Sequence, residues 1–102
     1  MRLLVFFDLP VKTKVERRSY VLFRRFLLRD GYDMIQYSVY GRILFGKDAE
    51  TKHLQRLKYN LPPDGSVRSM TVTEKQFAGI TFLVGAPRIQ EKTVTMTQLS
   101  LF

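Results

Sequence analysis

An α+β sandwich is the fold class this sequence predicts, and three observations predict it. Short runs of large apolar, aromatic and β-branched residues recur along the chain, bounded by Pro, Gly, Asn and Asp. Between them lie two segments with helix-start signals and apolar residues at helical spacing. The resulting order, β-α-β-(β)-α-β-β-β in 102 residues, gives a largely antiparallel sheet and two helices to cover it.

Residues 2 to 8, RLLVFFD, carry five unbroken large apolar residues from Leu3 to Phe7 ahead of Asp8 and Pro10. That is the pattern of a central strand buried on both faces. Thr13 and Glu16 have capping-box spacing, so a helix starts with Thr13 as N-cap and runs to about Arg29. Asp30-Gly31 stops it, because glycine takes the left-handed conformation freely. Residues 32 to 45, YDMIQYSVYGRILF, predict a strand interrupted or bent near Gly41. Asp48 is placed to cap a second helix over residues 49 to 60, with Leu54, Leu57 and Leu61 on its buried face. The turn NLPPDG follows at 60 to 65. Residues 66 to 74 and 79 to 84 predict strands, 85 to 92 a loop, and TVTMTQLSLF a final β segment. The small template that fits is the ferredoxin-like sandwich with one extra C-terminal segment, free to pair with a sheet edge, including that of another protomer. No boundary divides the chain: residues 1–102 form one domain, with a core over 1–84 and an extension over 85–102.

Composition narrows the function. There is no cysteine, which excludes disulfides and thiolate zinc sites, and one histidine excludes paired-histidine metal motifs. Seventeen Lys and Arg stand against nine Asp and Glu, a net charge of +8. Such a balance points to a polyanionic partner, nucleic acid first and an anionic membrane surface second. No apolar run approaches the roughly 20 residues a membrane span needs. The start, Met1-Arg2-Leu3, lacks a secretory cleavage pattern, so the expected location is cytoplasmic, with no membrane partner.

On a helix at about 100° per residue, Val15, Ser19, Leu22 and Phe26 fall on one side, flanked by Phe23. Lys14, Arg17, Arg18, Arg24 and Arg25 gather opposite, with no acid among them. A solvated helix face accounts for such a stripe. So does phosphate binding, which the arginine bias favours because a planar guanidinium matches phosphate oxygens. Arg42, Lys52, Arg56, Lys58, Arg68 and Lys75 spread the charge further. Tyr37 and Tyr40 lie in β segments, where aromatics more often pack than stack on bases. His53 is expected on the surface of the second helix, without a chemical role.

Asp8 at the end of a core strand has two readings. It turns the chain ahead of Pro10 or pairs with an arginine of the first helix. Alternatively, it is a rigidly held, partly exposed carboxylate where a divalent cation meets a phosphodiester. One carboxylate makes a poor magnesium site; two related by a twofold axis make a better one.

These residues together resemble a known family. LLVFFDLP resembles its first strand with the signature aspartate, and ERRSYVLFRRFLLRDGYDMIQYSVYGRIL its arginine-bearing helix and Q-x-S-V-aromatic segment. VRSMTVTEKQF resembles its later strand in the form found with Cas9-containing systems. The family is CRISPR-associated protein 2, the smaller of the two universal spacer-adaptation proteins, often labelled an endoribonuclease. The resemblance runs over nearly the whole chain, most clearly residues 2 to 84. It implies a ferredoxin-like homodimer at the centre of a spacer-integration complex with the larger adaptation integrase, bound to duplex DNA. It implies magnesium-dependent endonuclease activity on RNA or double-stranded DNA, with one Mg²⁺ shared by the two Asp8 of the dimer. Carried onto this chain, Asp8 is the catalytic and metal-binding acid. Arg17 and Arg18 match helix cations, and Ser38 and Tyr40 match the Q-x-S-V-aromatic motif. Where many members have Tyr before the aspartate, this chain has Phe7, so no hydroxyl acts there. The C-terminal extension fits closure of the dimer or a grip on the integrase.

Three functions follow. A DNA-binding scaffold needs the arginine stripe and the dimer. A metal-dependent endonuclease needs Asp8 from both protomers. A non-catalytic RNA-binding module of similar topology ranks last, because its glycine-aromatic strand patterning is missing.

Overall fold

The structure, a computed structural model, describes residues 1–85. Its elements are β1 (Arg2–Asp8), α1 (Lys14–Arg29), β2 (Asp33–Gln36), β3 (Val39–Ile43), α2 (Lys47–Tyr59), β4 (Ser66–Val72) and α3 (Glu74–Ala78). The strands form one antiparallel sheet in the order β2-β3-β1-β4. That is the ferredoxin-like arrangement, with β1 at the centre. The expected C-terminal β segment over 93–102 and nearly all of the loop over 85–92 lie outside the described residues.

Strand alternation sorts β1 into two faces. Leu3, Val5 and Phe7 point to the helices and build the core with Leu9, Phe23, Leu27, Tyr32, Tyr40, Leu44 and Leu57. Phe7 sits at its centre, edge-on to Phe23 at 5.2 Å and to Tyr20 at 6.0 Å, and stacked on Tyr40 at 5.6 Å. Arg2, Leu4, Phe6 and Asp8 point the other way. Their cross-strand neighbours on that face are Ile43, Gly41 and Val39 in β3 and Val72, Met70, Arg68 and Ser66 in β4. Helix α3 lies against the Arg2 end of this second face. Glu74 binds Arg2 Nε at 3.0 Å, and the guanidinium lies 4.1 Å from the Phe77 ring centroid. The remainder, from Leu4 to Asp8, carries no covering helix among the described residues.

The helix-start signal at Thr13 is realised in full. Thr13 Oγ1 accepts from Glu16 N at 3.1 Å, and Glu16 Oε1 accepts from Thr13 N at 2.9 Å. The apolar side of α1 is only partly turned inward: Ser19 and Phe26 are half-buried and the flanking Phe23 is buried. Phe23 and Leu27 are buried, whereas Val15 is 74% and Leu22 50% exposed. Apolar residues occur around much of this helix, and the large aromatics facing Phe7 decide which side turns inward.

Other boundaries also differ. Residues 32 to 45 are two strands joined at Tyr37-Ser38, where Ser38 takes φ 65°, rather than one strand bent at Gly41. Gly41 lies inside β3, and a Cβ there would meet Ile35 Cδ1 at 2.8 Å and Leu4 Cδ2 at 2.9 Å. Its missing side chain lets those two pack over the strand. Helix α2 begins at Lys47 with Gly46 as N-cap, so Asp48 is not the cap. The strand expected over 79–84 is absent among the described residues. Instead Thr73 and Gln76 form a second capping box, which ends β4 at Val72 and starts α3.

Candidate catalytic and nucleic-acid-binding surfaces

Asp8 is the last residue of the central strand and its exposed end. Two backbone contacts fix its position. Phe7 N–H donates to the carbonyl of Ser38 at 3.0 Å, holding the β2–β3 turn onto the end of β1. Gly65, at φ +94°, passes so close that a Cβ would lie 2.6 Å from the Asp8 carbonyl oxygen. These two turns frame an open cleft of ≈ 470 Å³ lined by Phe6, Phe7, Asp8, Ser38, Val39, Ser66 and Arg68. Ser66 faces Asp8 directly across the strand pair and Arg68 faces Phe6. The Asp8 carboxylate is in no ion pair among the described residues. It therefore does not bind an arginine of α1, one of the structural roles open to it from sequence.

The motif residues divide. Ser38 reaches the cleft. Phe7 and Tyr40 form a stacked pair in the core behind it, and the Tyr40 hydroxyl is buried without a hydrogen-bond partner. Tyr37, at the tip of the turn, is 82% exposed.

Lys14, Arg17, Arg18, Arg24 and Arg25 are all exposed, on the side of α1 away from the sheet. Arg17 is partly committed: its guanidinium donates to the carbonyls of Lys12 at 3.0 Å and Val11 at 3.4 Å, bracing the loop before the helix. This cationic surface and the Asp8 cleft lie on opposite layers of the sandwich.

Two more distant cations are structural. Asp30, just past α1, accepts His53 Nδ1 at 2.9 Å on one carboxylate oxygen and Arg56 at 2.8 Å on the other. Its backbone carbonyl accepts from Arg42. A carboxylate only accepts, so His53 Nδ1 carries a hydrogen, and the 3.4 Å approach of Arg42 to that nitrogen is a contact between donors. His53 is buried, contrary to expectation; it ties α2 to the end of α1. Burial pushes the neighbouring Tyr32 hydroxyl up to about 12, with Asp30 adding to the rise and Arg42 opposing it.

Among the described residues no three His, Cys, Asp or Glu side chains come together as a metal site. One chain offers the cleft a single carboxylate, Asp8. Magnesium is held by one or two carboxylates with water filling the rest, so Asp8 is of the right chemistry to supply one such ligand.

Arg68 and Ser66 were not among the predicted site residues. Only the β1–β4 register places them beside Asp8, and a single sequence does not contain that register.

A family described as CRISPR associated protein Cas2 matches residues 1–80. Among curated relatives, a CRISPR-associated endoribonuclease Cas2 from Acidovorax ebreus is 67% identical over 102 residues, covering 100% of both chains. One from Streptococcus mutans serotype c is 46% identical over 85 residues, 83% of this chain and 78% of its own. One from Parvibaculum lavamentivorans is 40% identical over 102 residues, covering 100% of both.

Proposed function

The chain belongs to the Cas2 family of CRISPR-associated proteins, and on that premise we propose that it is an endonuclease of spacer adaptation that cleaves phosphodiesters at Asp8. The relatives' name, endoribonuclease, makes RNA the first substrate. The carrying observation is the exposed Asp8 carboxylate, held by two turns at the end of the central strand and free of any internal ion pair among the described residues.

The active form is a homodimer. Around the already buried Leu4, the half-buried Phe6, Ile35, Val39, Ile43 and Val72 and the 51% exposed Met70 give the helix-free sheet face an apolar character. Packing that face on a second copy removes it from water, which small domains need. It also brings the two strand ends, each with its Asp8, toward one twofold axis. Together the two carboxylates would hold one Mg²⁺. Bound there, the ion would supply positive charge against the phosphate oxygens and lower the pKa of a coordinated water. The chain's own part is to fix Asp8 through the Ser38 and Gly65 turns, and to present the Ser38 and Ser66 hydroxyls as hydrogen-bonding groups at the rim.

Duplex DNA binds a different surface, the outward side of α1, through Lys14, Arg17, Arg18, Arg24 and Arg25. Supporting this are their exposure and the absence of any ion pair to them among the described residues. On this second surface the dimer serves the adaptation integrase as a scaffold, a role that does not require Asp8.

The test is Asp8→Asn, which keeps shape and one acceptor but removes the charge. Metal-dependent RNA cleavage is expected to fall by at least about 100-fold, since even outer-shell changes at metal sites cost 10- to 100-fold. Duplex affinity is expected to stay within about twofold, because the α1 phosphate contacts are untouched. Unchanged cleavage in Asp8→Asn leaves only the scaffold.

A further inference from the structure

The geometry points to Arg68 as the residue that holds the phosphodiester beside Asp8, a positioning role that rests on the reading of this cleft as a cleavage site. Arg68 lies opposite Phe6 in the β1–β4 ladder, one pleat from the Asp8–Ser66 pair, and so shares their face. Diagonal neighbours of this kind have Cβ atoms about 7–8 Å apart, or somewhat less. Both side chains line one cleft, so a phosphate in it would lie within reach of the guanidinium and of a cation on Asp8. Arg68 is exposed and in no ion pair among the described residues, although Asp8 is a diagonal neighbour on the same face.

The surroundings strengthen the assignment. Leu4, Phe6, Val39 and Met70 are the apolar residues around Arg68 on this face. A cation at the margin of an apolar surface that becomes buried is costly unless it meets an anion. Arg2, at the far end of the same face, has such a partner in Glu74. With Asp8 engaged by a metal ion, a phosphate oxygen pair satisfies Arg68 through the bidentate geometry that guanidinium favours. Ser66, on the same strand, adds a hydroxyl donor. Arg68 then selects which phosphate lies at Asp8, on the face opposite the α1 cations.

Two measurements on the full chain test this. First, the protein is labelled at arginine side-chain nitrogen and titrated with inorganic phosphate at constant ionic strength. The Asp8→Asn background removes repulsion between carboxylate and anion. The Nε–H signal of Arg68, assigned by its loss in Arg68→Lys, is expected to shift and saturate, and more weakly so in Ser66→Ala. The signals of Arg18 and Arg25 are expected to drift without saturating. An Arg68 signal that stays still, or only drifts with those of α1, overturns the proposal. Second, Arg68→Gln is expected to lower kcat/KM for RNA cleavage by about 100-fold, the scale of losing one preorganised donor at a developing anion. Arg68→Lys should recover part of it, and nucleic-acid affinity should stay within twofold. Unchanged cleavage, or an affinity loss as large as the kcat/KM loss, overturns it as well. Should the wild type cleave nothing, the nuclease reading fails by itself, and the phosphate titration still decides Arg68.

Discussion

Gly65→Ala is expected to damage the fold and the cleft together. Gly65 has φ +94°, and a Cβ added there would lie 2.6 Å from the Asp8 carbonyl oxygen, 2.7 Å from Leu9 Cδ2 and 3.1 Å from Leu9 Cα. The backbone conformation costs an L-residue about 1–2 kcal/mol. The contacts add about 1–3 kcal/mol, the usual range for forcing atoms into occupied space, because two of the three are backbone atoms that cannot rotate away. The sum, about 2–5 kcal/mol, is a large part of the 5–15 kcal/mol that holds a typical domain. Gly46→Ala is the control. Gly46 has a similar φ, +101°, but nothing within 4 Å of its absent Cβ. It is expected to lose only the conformational part, about 1–3 kcal/mol, because φ 101° with ψ 171° is a region essentially confined to glycine. Urea unfolding of the two variants therefore isolates the steric cost. Cleavage should fall in Gly65→Ala beyond what the unfolded fraction explains, since relief of the clash moves Asp8. Equal stability losses in the two variants refute the reasoning.

Further consequences concern the network, the alkaline limit, the helix and the dimer. Asp30→Ala removes the acceptor shared by His53 and Arg56 and is expected to cost about 2–4 kcal/mol in urea unfolding, whereas Arg56→Ala, whose side chain is 51% exposed, should cost under about 1 kcal/mol. The folded chain keeps the Tyr32 proton up to about pH 12, while the unfolded chain releases it near the ordinary tyrosine value of 10.0. The unfolded state therefore binds fewer protons above pH 10, and stability falls as pH rises through that window. Tyr32→Phe should remove that part of the fall and be nearly neutral at pH 7, because the hydroxyl has no hydrogen-bond partner. Changing Arg17, Arg18, Arg24 and Arg25 to Ala should weaken duplex binding for all sequences alike and flatten the salt slope by about 0.9 per lost phosphate contact. In sedimentation, Met70→Glu on the uncovered face should shift the chain from dimer toward the 12.0 kDa monomer.

Much of the sandwich was legible in the sequence because its signals are local. The apolar run of β1, the Thr13–Glu16 capping box and the Asp30-Gly31 stop each lie within a few residues and are each realised. The second capping box, Thr73 to Gln76, is equally local, and the short helix it starts at Glu74 falls mostly in the gap between the strands expected over 66–74 and 79–84. Which side of α1 turns inward was not legible, because apolar residues lie around much of the helix and the choice is made by Phe7 across the core. His53 was misplaced for a related reason. Its partner Asp30 is 23 residues away, and only the fold brings them together. Asp8 stood out as a carboxylate at the end of an apolar run. Ser66 and Arg68 were silent until the register of β1 against β4 set them beside it.

The central claim is that two Asp8 side chains from one dimer act together, and a mixing experiment tests it most directly. Wild-type and Asp8→Asn chains are unfolded together in equal amounts, refolded and assayed for metal-dependent RNA cleavage at fixed total protein. If both carboxylates of a dimer are required, only dimers with two wild-type chains cleave, about one quarter of the total for random pairing. Activity near one quarter of the unmixed wild type is expected. Activity near one half means that each Asp8 works alone, and contradicts the shared site.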